Sequence, residues 1–192
     1  MAVTMLNVGC GSSRIPIAGV QEVRLDLNPA LKPDIVCDAR QLETLPAAQY
    51  DGVWCSHVLE HFYEHEVPVV LRGIRHVLKD SGVLFAAVPD LAAMMTEMAR
   101  RGLGINDVIY VSSMGPVRPR DMLYGFEPQI TTGNVFFAHK TGFDNAALVQ
   151  VVAAAGFNMV YSLCHSLQVD VIACATKLPR WAAKYVNTND KK

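Results

Sequence analysis

The sequence predicts an α/β domain built on a doubly wound, mostly parallel sheet. Three observations carry this. Short apolar runs alternate along the chain with stretches of helical periodicity. Those runs are apolar throughout rather than alternating, as expected of strands covered on both faces. The first run ends in a glycine turn, Gly9-Cys10-Gly11, at the place where open α/β sheets form a crevice beyond their strand ends. The size agrees: 192 residues, 51% hydrophobic and 18% charged, suit one core and not two comfortable domains.

The strands are expected at residues 5–9, 22–27, 34–37, 51–55 and 83–88. Between the last two, residues 64–79 place Val67, Val70, Leu71, Ile74 and Leu78 on one helical face. That helix should stop at Lys79-Asp80-Ser81-Gly82, with cations near its end and glycine just beyond. Only about ten residues separate Gly11 from the second strand, fewer than the dozen a parallel crossover usually needs, so the first crossover must be short or irregular. Residues 91–140 form a long interruption. A Met- and Ala-rich helix, residues 91–101, opens it. A loop-like stretch with Pro116, Pro119, Gly125, Pro128 and Gly133 follows. Its Met94, Met95, Met98, Tyr110, Met122, Tyr124 and Phe126 are lid or plain core.

A further helix spans 144–155, with Asp144 as its N-cap and Gly156 as its stop. Runs at 157–164 and 169–177, joined by 165–168, read as a hairpin that supplies a reversed edge strand. The domain therefore covers 1–178, and 179–192 is a tail: a short helix, then a polar end.

A net charge of −1 leaves no basic field for a polyanion, so nucleic acid is not an expected partner. The five cysteines contain no C-x-x-C pair and read as buried free thiols of a reducing compartment. No secretory leader and no run of the ~18 residues needed for a membrane span is visible, which implies a cytoplasmic protein without membrane insertion. The oligomeric state is not legible.

The candidate binding residues stand at successive strand ends. Gly9 and Gly11 let a ligand approach backbone without a Cβ in the way. Asp26, ending the second strand, is placed to accept hydrogen bonds from both hydroxyls of a ribose, or is a turn aspartate before Asn28-Pro29. Asp38, with Ala39, meets an adenine edge or caps its own turn. Ser56 and His57 open the fourth strand's end onto the same crevice.

Together these residues resemble class I S-adenosylmethionine-dependent methyltransferases. Leu6-Asn7-Val8-Gly9-Cys10-Gly11-Ser12 is similar to their first motif, and residues 50–61 to their fourth-strand segment. Val77-Leu78-Lys79-Asp80-Ser81-Gly82-Val83-Leu84 resembles the turn before their fifth strand, and Val88-Pro89-Asp90 its end. The likeness runs from Met5 to about Asp90 and resumes at 139–157. Within that group it resembles a short bacterial subgroup, methyltransferase type 11-like, often associated with sugars and glycans. The resemblance implies a Rossmann-like seven-stranded sheet, mostly parallel with one antiparallel edge strand, and S-adenosylmethionine as cofactor. It implies that Asn7, Gly9 and Gly11 lie under the methionine part. Asp26 with Leu27 would hold the ribose side, Asp38 and Ala39 the adenine, and Ser56 and His57 the floor near sulfur. The match departs from the motif twice: Asn7 stands where an acid is usual, and Ser13 where a third glycine is usual.

Methyl transfer asks the protein to align an acceptor, exclude water and, where needed, remove a proton. His57, His61 and His139 are the catalytic candidates, with Asp90 and Tyr124 behind them; each also has an ordinary packing or capping role open to it. The acceptor is expected to be a small molecule, such as a sugar or glycan intermediate, bound by residues 91–140. Arg118 and Arg120 are either an anion contact there or solvated loop cations. His57-Val58-Leu59-Glu60-His61 has the inverted-zincin spacing H-x-x-E-H, but the sequence offers no third ligand, so no metal is expected. Two other classes compete. One is a methyltransferase-like scaffold without activity. The other is a nicotinamide oxidoreductase, disfavoured because Arg14 fills the third glycine position of G-x-G-x-x-G.

Overall fold

The computed structural model describes residues 2–186. The strands are β1 (Val3–Val8), β2 (Val20–Asp26), β3 (Ile35–Val36), β4 (Tyr50–Ser56), β5 (Leu78–Pro89), β6 (Tyr110–Ser112), β7 (Gly115–Val117), β8 (Met159–His165) and β9 (Gln168–Cys174). The helices are α1 (Val67–Val77), α2 (Leu91–Arg101), α3 (Pro119–Tyr124), α4 (Glu127–Ile130), α5 (Asn145–Ala154) and α6 (Arg180–Val186). Seven strands form one sheet in the order β3-β2-β1-β4-β5-β9-β8, while β6 and β7 pair separately. The first five run parallel. β9 is antiparallel to both β5 and β8. The reversed strand thus lies one place in from the edge, and β8, the edge strand, runs with the parallel set. The crossover through α5 carries β8 one strand-width too far, and the hairpin folds β9 back into the gap.

Chain direction across the sheet reverses between β1 and β4, which opens a crevice at their carboxyl ends. Side-chain alternation then fills two layers. Leu6, Val8, Val53, Cys55, Leu84, Ala86 and Val88 face one side, under α1, α5 and the 3-10 turn Ala39–Thr44. In α1 the buried residues Val67, Val70, Leu71, Ile74 and Val77 keep helical spacing. Asp144 caps α5 by accepting the Ala147 N–H at 2.8 Å. Met5, Val83, Phe85, Ile172 and Cys174 face the other side.

Among the described residues, that second side has no crossover helix. The connection from β1 to β2 is an irregular loop whose Ile15 and Ile17 tuck onto the sheet. The remaining cover comes from α6, whose Trp181 and Tyr185 rings sit 5.9 and 5.7 Å from Phe85. The tail's helix is therefore part of the core; its expected polar end, beyond Val186, lies outside the described residues.

Two expectations need correction. Lys79-Asp80-Ser81-Gly82 is not a turn after a helix ending at Lys79. α1 ends at Val77, Leu78 already pairs with Tyr50, and the four residues form an irregularity before register resumes at Val83 opposite Gly52. Residues 102–140 are not a plain loop either. They hold the β6–β7 hairpin, α3 and α4, packed around Met94, Ile109, Val117, Met122 and Phe126. Met94, Met122 and Phe126 are core, whereas Met95, Tyr110 and Tyr124 are exposed. Of the cysteines, Cys10, Cys55 and Cys174 are buried, but Cys164 is exposed on the edge strand; all are free thiols. Among the described residues no helix is long and apolar enough to cross a membrane.

Candidate active site

The glycine turn is built by backbone need. Gly9 and Gly11 have φ of +61° and +52°, a region that L side chains rarely adopt. A Cβ on Gly9 would lie 2.6 Å from Val58 Cγ2; one on Gly11 would meet nothing within 4 Å. So the first glycine packs against the segment after β4, and the second faces open space. Asp26 closes the turn: Oδ2 accepts the Gly11 N–H and Oδ1 accepts the Asn28 N–H, both at 2.9 Å. Each carboxylate oxygen keeps a further acceptor site. Arg24 braces the other side, its Nη2 donating to Gly11 O at 2.6 Å.

Asn7 is buried and points its amide to Glu22 Oε1 at 2.7 Å and to Ser13 O at 3.3 Å. Glu22 also accepts the Ile15 N–H and an Arg14 N–H. Burial pushes the Glu22 carboxyl up, but Arg14, Asn7 and the Ile15 amide outweigh it and hold it below its ordinary range. A carboxylate thus stands at the base of the turn after all, delivered from β2 rather than from the motif. Sequence reading passed over Glu22; its signal was an acid within a strand, opposite Met5 in register.

At the next strand ends, Leu27 is 45% exposed, while Ala39 is buried. Asp38 caps the 3-10 turn by accepting the Arg40 N–H, and the Arg40 side chain, itself paired with Glu66, reaches back to the same carboxylate. The capping alternative for Asp38 is therefore realised, with a salt bridge added.

The histidines gather around one buried acid. His57 has φ of +55°, a costly conformation for a non-glycine residue. Its Nδ1 lies 3.2 Å from Glu60 Oε1 and its Nε2 lies 3.0 Å from Gln168 Oε1. Gln168 in turn donates from Nε2 to Asp170, which fixes its amide so that oxygen faces the ring. With an acceptor at each nitrogen, His57 is set up to carry two protons. Burial opposes that charge, but Glu60 first, then Gln168 and Asp170, prevail and raise its pKa. Glu60 is only 2% exposed and its Oε2 has no hydrogen-bond partner. Burial works against its ionisation, yet His57, His61 and His139 keep it below the usual carboxylate range.

His61 Nδ1 is 3.1 Å from Ala138 O, and His139 Nδ1 is 2.8 Å from Met122 O. Their rings stand edge to face with centroids 5.0 Å apart. Burial lowers the pKa of His139. The end of the 91–140 insertion brings His139, and not His57, to Glu60 and His61, and one ligand atom from each lies within 4.8 Å of the others.

The remaining candidates lie as follows in the fold. Asp90 caps α2 through the Ala93 N–H. Tyr124 is solvent-exposed. Arg118 is bound to Asp121 and Glu127, and Arg120 to Asn106.

A cavity of about 340 Å³ opens beside Ser56 on the sheet face that lacks a crossover helix. Ile17, Trp54, Phe85, Leu163, Ile172 and Tyr185 give it an apolar lining; His165, Gln168 and Asp170 give it one polar edge. Gln168 joins it to the His57–Glu60 pair.

A glycine turn, an acid ending β2 and a seven-stranded sheet in this order make up the fold of the class I methyltransferases, and residues 6–86 match the family model described as a methyltransferase domain. Solved structures show the same fold. The chain is similar to a SAM-dependent methyltransferase from Archaeoglobus fulgidus, with 16% identity and a TM-score of 0.55 over 90% of this chain and 86% of that one. It is similar to the 1,6-didemethyltoxoflavin-N1-methyltransferase of Burkholderia thailandensis, solved with 1,6-didemethyltoxoflavin and S-adenosylhomocysteine, at 15% identity and a TM-score of 0.54 over 90% and 70%. A possible histamine N-methyltransferase from Thermotoga maritima aligns at 14% identity and a TM-score of 0.57 over 92% and 83%. No curated protein matches the sequence.

Proposed function

We propose that the chain transfers a methyl group from S-adenosylmethionine to a small-molecule acceptor. The observation that carries this reading is Asp26 at the carboxyl end of β2, next to the switch-point strand β1, with its carboxylate on the Gly11 amide and open space above Gly11. A ligand lying on that turn meets backbone without a Cβ, and the unused acceptor sites of Asp26 suit ribose hydroxyls. Leu27 offers an exposed apolar surface for an adenine ring, beside Asp38 and Ala39. When bound, the cofactor supplies an electrophilic methyl group on a sulfonium centre.

The chain's own part is alignment and exclusion of water. Ser56, at the end of β4, lines the cavity, and this reading puts the acceptor there. Its apolar lining with a single polar edge fits a compact apolar body carrying one polar group better than a free sugar, which is polar all round. His57, held between Glu60 and Gln168, orients that edge. His61 and His139 belong to the Glu60 cluster and act with it.

Calorimetry of the full chain with S-adenosylhomocysteine and with NAD tests the reading. S-adenosylhomocysteine should bind and NAD should not. Asp26→Ala should weaken S-adenosylhomocysteine binding about tenfold or more, the scale of a lost charge-assisted hydrogen bond. Unchanged affinity, or binding of NAD alone, would overturn it; silence with both ligands would favour the scaffold reading.

A further inference from the structure

We propose that Glu60, His61 and His139 form a binding site for a divalent first-row cation of the zinc type. The three donors come from distant parts of the chain. Glu60 and His61 lie on the 3-10 turn after β4, Leu59–His61. His139 ends the insertion, and the next two residues latch it down: the Lys140 and Thr141 N–H groups donate to Glu60 O at 2.8 and 3.3 Å. The juxtaposition is therefore set by backbone and not by two side chains that happen to touch.

Both rings are prepared as ligands in the same way. Each directs Nδ1 at a backbone carbonyl, Ala138 O for His61 and Met122 O for His139. That places the proton on Nδ1 and leaves an Nε2 lone pair free, the arrangement by which metal-binding histidines are oriented. The third donor is the informative one. Glu60 is almost wholly buried and Oε2 has no partner, while Oε1 is held by His57 Nδ1. An anionic oxygen left unpaired in the interior is costly. Two imidazoles gathered beside this carboxylate offer a further ligand atom each, a set that a cation would satisfy.

Two imidazoles and one carboxylate suit zinc and its neighbours, manganese to copper, better than magnesium or calcium, which prefer all-oxygen sets. Three protein ligands leave a coordination position open for water or an oxygen of another ligand. The donor atoms lie within 4.8 Å of one another. Bonds of about 2.0–2.2 Å in a tetrahedral site place ligand atoms roughly 3.5 Å apart, so binding must draw the ligand atoms together by up to roughly 1.3 Å. The site stands apart from the glycine turn: neither Gly11 nor Asp26 contributes a ligand.

The test uses the full chain, freed of metal with a chelator and dialysed. Cobalt(II) is titrated and followed by visible absorption, then displaced with zinc; calorimetry gives the stoichiometry. One equivalent of cobalt should bind, zinc should displace it, and magnesium should not. His61→Asn and His139→Asn keep an amide to serve the Ala138 and Met122 carbonyls but remove Nε2; each should weaken cobalt binding at least tenfold. Glu60→Gln keeps the shape of the acid and gives the same readout should either asparagine variant fail to fold by near-ultraviolet circular dichroism. His76→Asn, remote from the cluster, should bind cobalt as the parent does. No cobalt or zinc binding by the folded parent, or equal binding by the folded cluster variants, would overturn the proposal. Cofactor binding is read separately, so neither reading's failure is mistaken for the other's.

Discussion

Gly9 and Gly11 flank a single residue, Cys10, and do different work. Both hold positive φ, which costs an L residue about 1–2 kcal/mol. Only Gly9 also abuts a neighbour, with Val58 Cγ2 2.6 Å from where a Cβ would sit. Gly9→Ala should therefore lose roughly 2–4 kcal/mol in urea unfolding, the strain plus overpacking. Gly11→Ala should lose about 1–2 kcal/mol from the dihedral alone, yet it should weaken S-adenosylhomocysteine binding more, because its methyl enters the open space of the crevice. Equal losses in both measurements would mean that the two glycines are merely two turn residues. The same scale shows where motif reading stops. Asn7 looked like a missing charge, but in space Glu22 fills the gap through the Asn7 amide. Glu60 was one letter of a histidine motif, and only the fold gave it three histidines.

The strand and helix order was legible because a buried parallel strand and an amphipathic helix write different periods into the chain. α2 has the bounds its sequence predicts because both ends are written locally: Asp90 caps it, and Gly102 stops it at φ +66°. The α1–β5 junction was misread because lysine and glycine there mimic a helix stop, while pairing of Leu78 with Tyr50 decides the matter over a distance no local signal spans. The absent first crossover helix was half visible as a shortage of residues; what replaces it was not. α6 does so from the other end of the chain, laying Trp181 on Phe85 and close to Gly52. Trp181→Ala should cost about 2–3 kcal/mol, short of the ~3–5 of a fully buried tryptophan because the ring is only partly covered. Chemical denaturation reads this directly. A loss below about 0.5 kcal/mol, the level of an ordinary surface change, would show α6 to be an appendage.

At the scale of the molecule, two cores meet at the histidine cluster. The sheet core fixes β4 and the turn that carries Glu60 and His61. The insertion core, around Met94, Ile109, Val117, Met122 and Phe126, fixes His139. Contact between them runs through Lys140 and Thr141 on Glu60 O, His61 Nδ1 on Ala138 O, and Leu91 and Leu167 packed against the insertion core. A small core joined to a large one by few contacts should open on its own, before the sheet unfolds. Met122 is the lever, since its side chain packs the insertion while its carbonyl orients His139. Met122→Ala should remove about 2–3 kcal/mol, the range for a buried methionine in a small core. Because the loss is local, hydrogen exchange should quicken in peptides covering residues 103–138 and leave those of β1, β4 and β5 unchanged. Uniform quickening across the sheet would show instead that insertion and sheet unfold as one unit, and that the cluster is held by a single core.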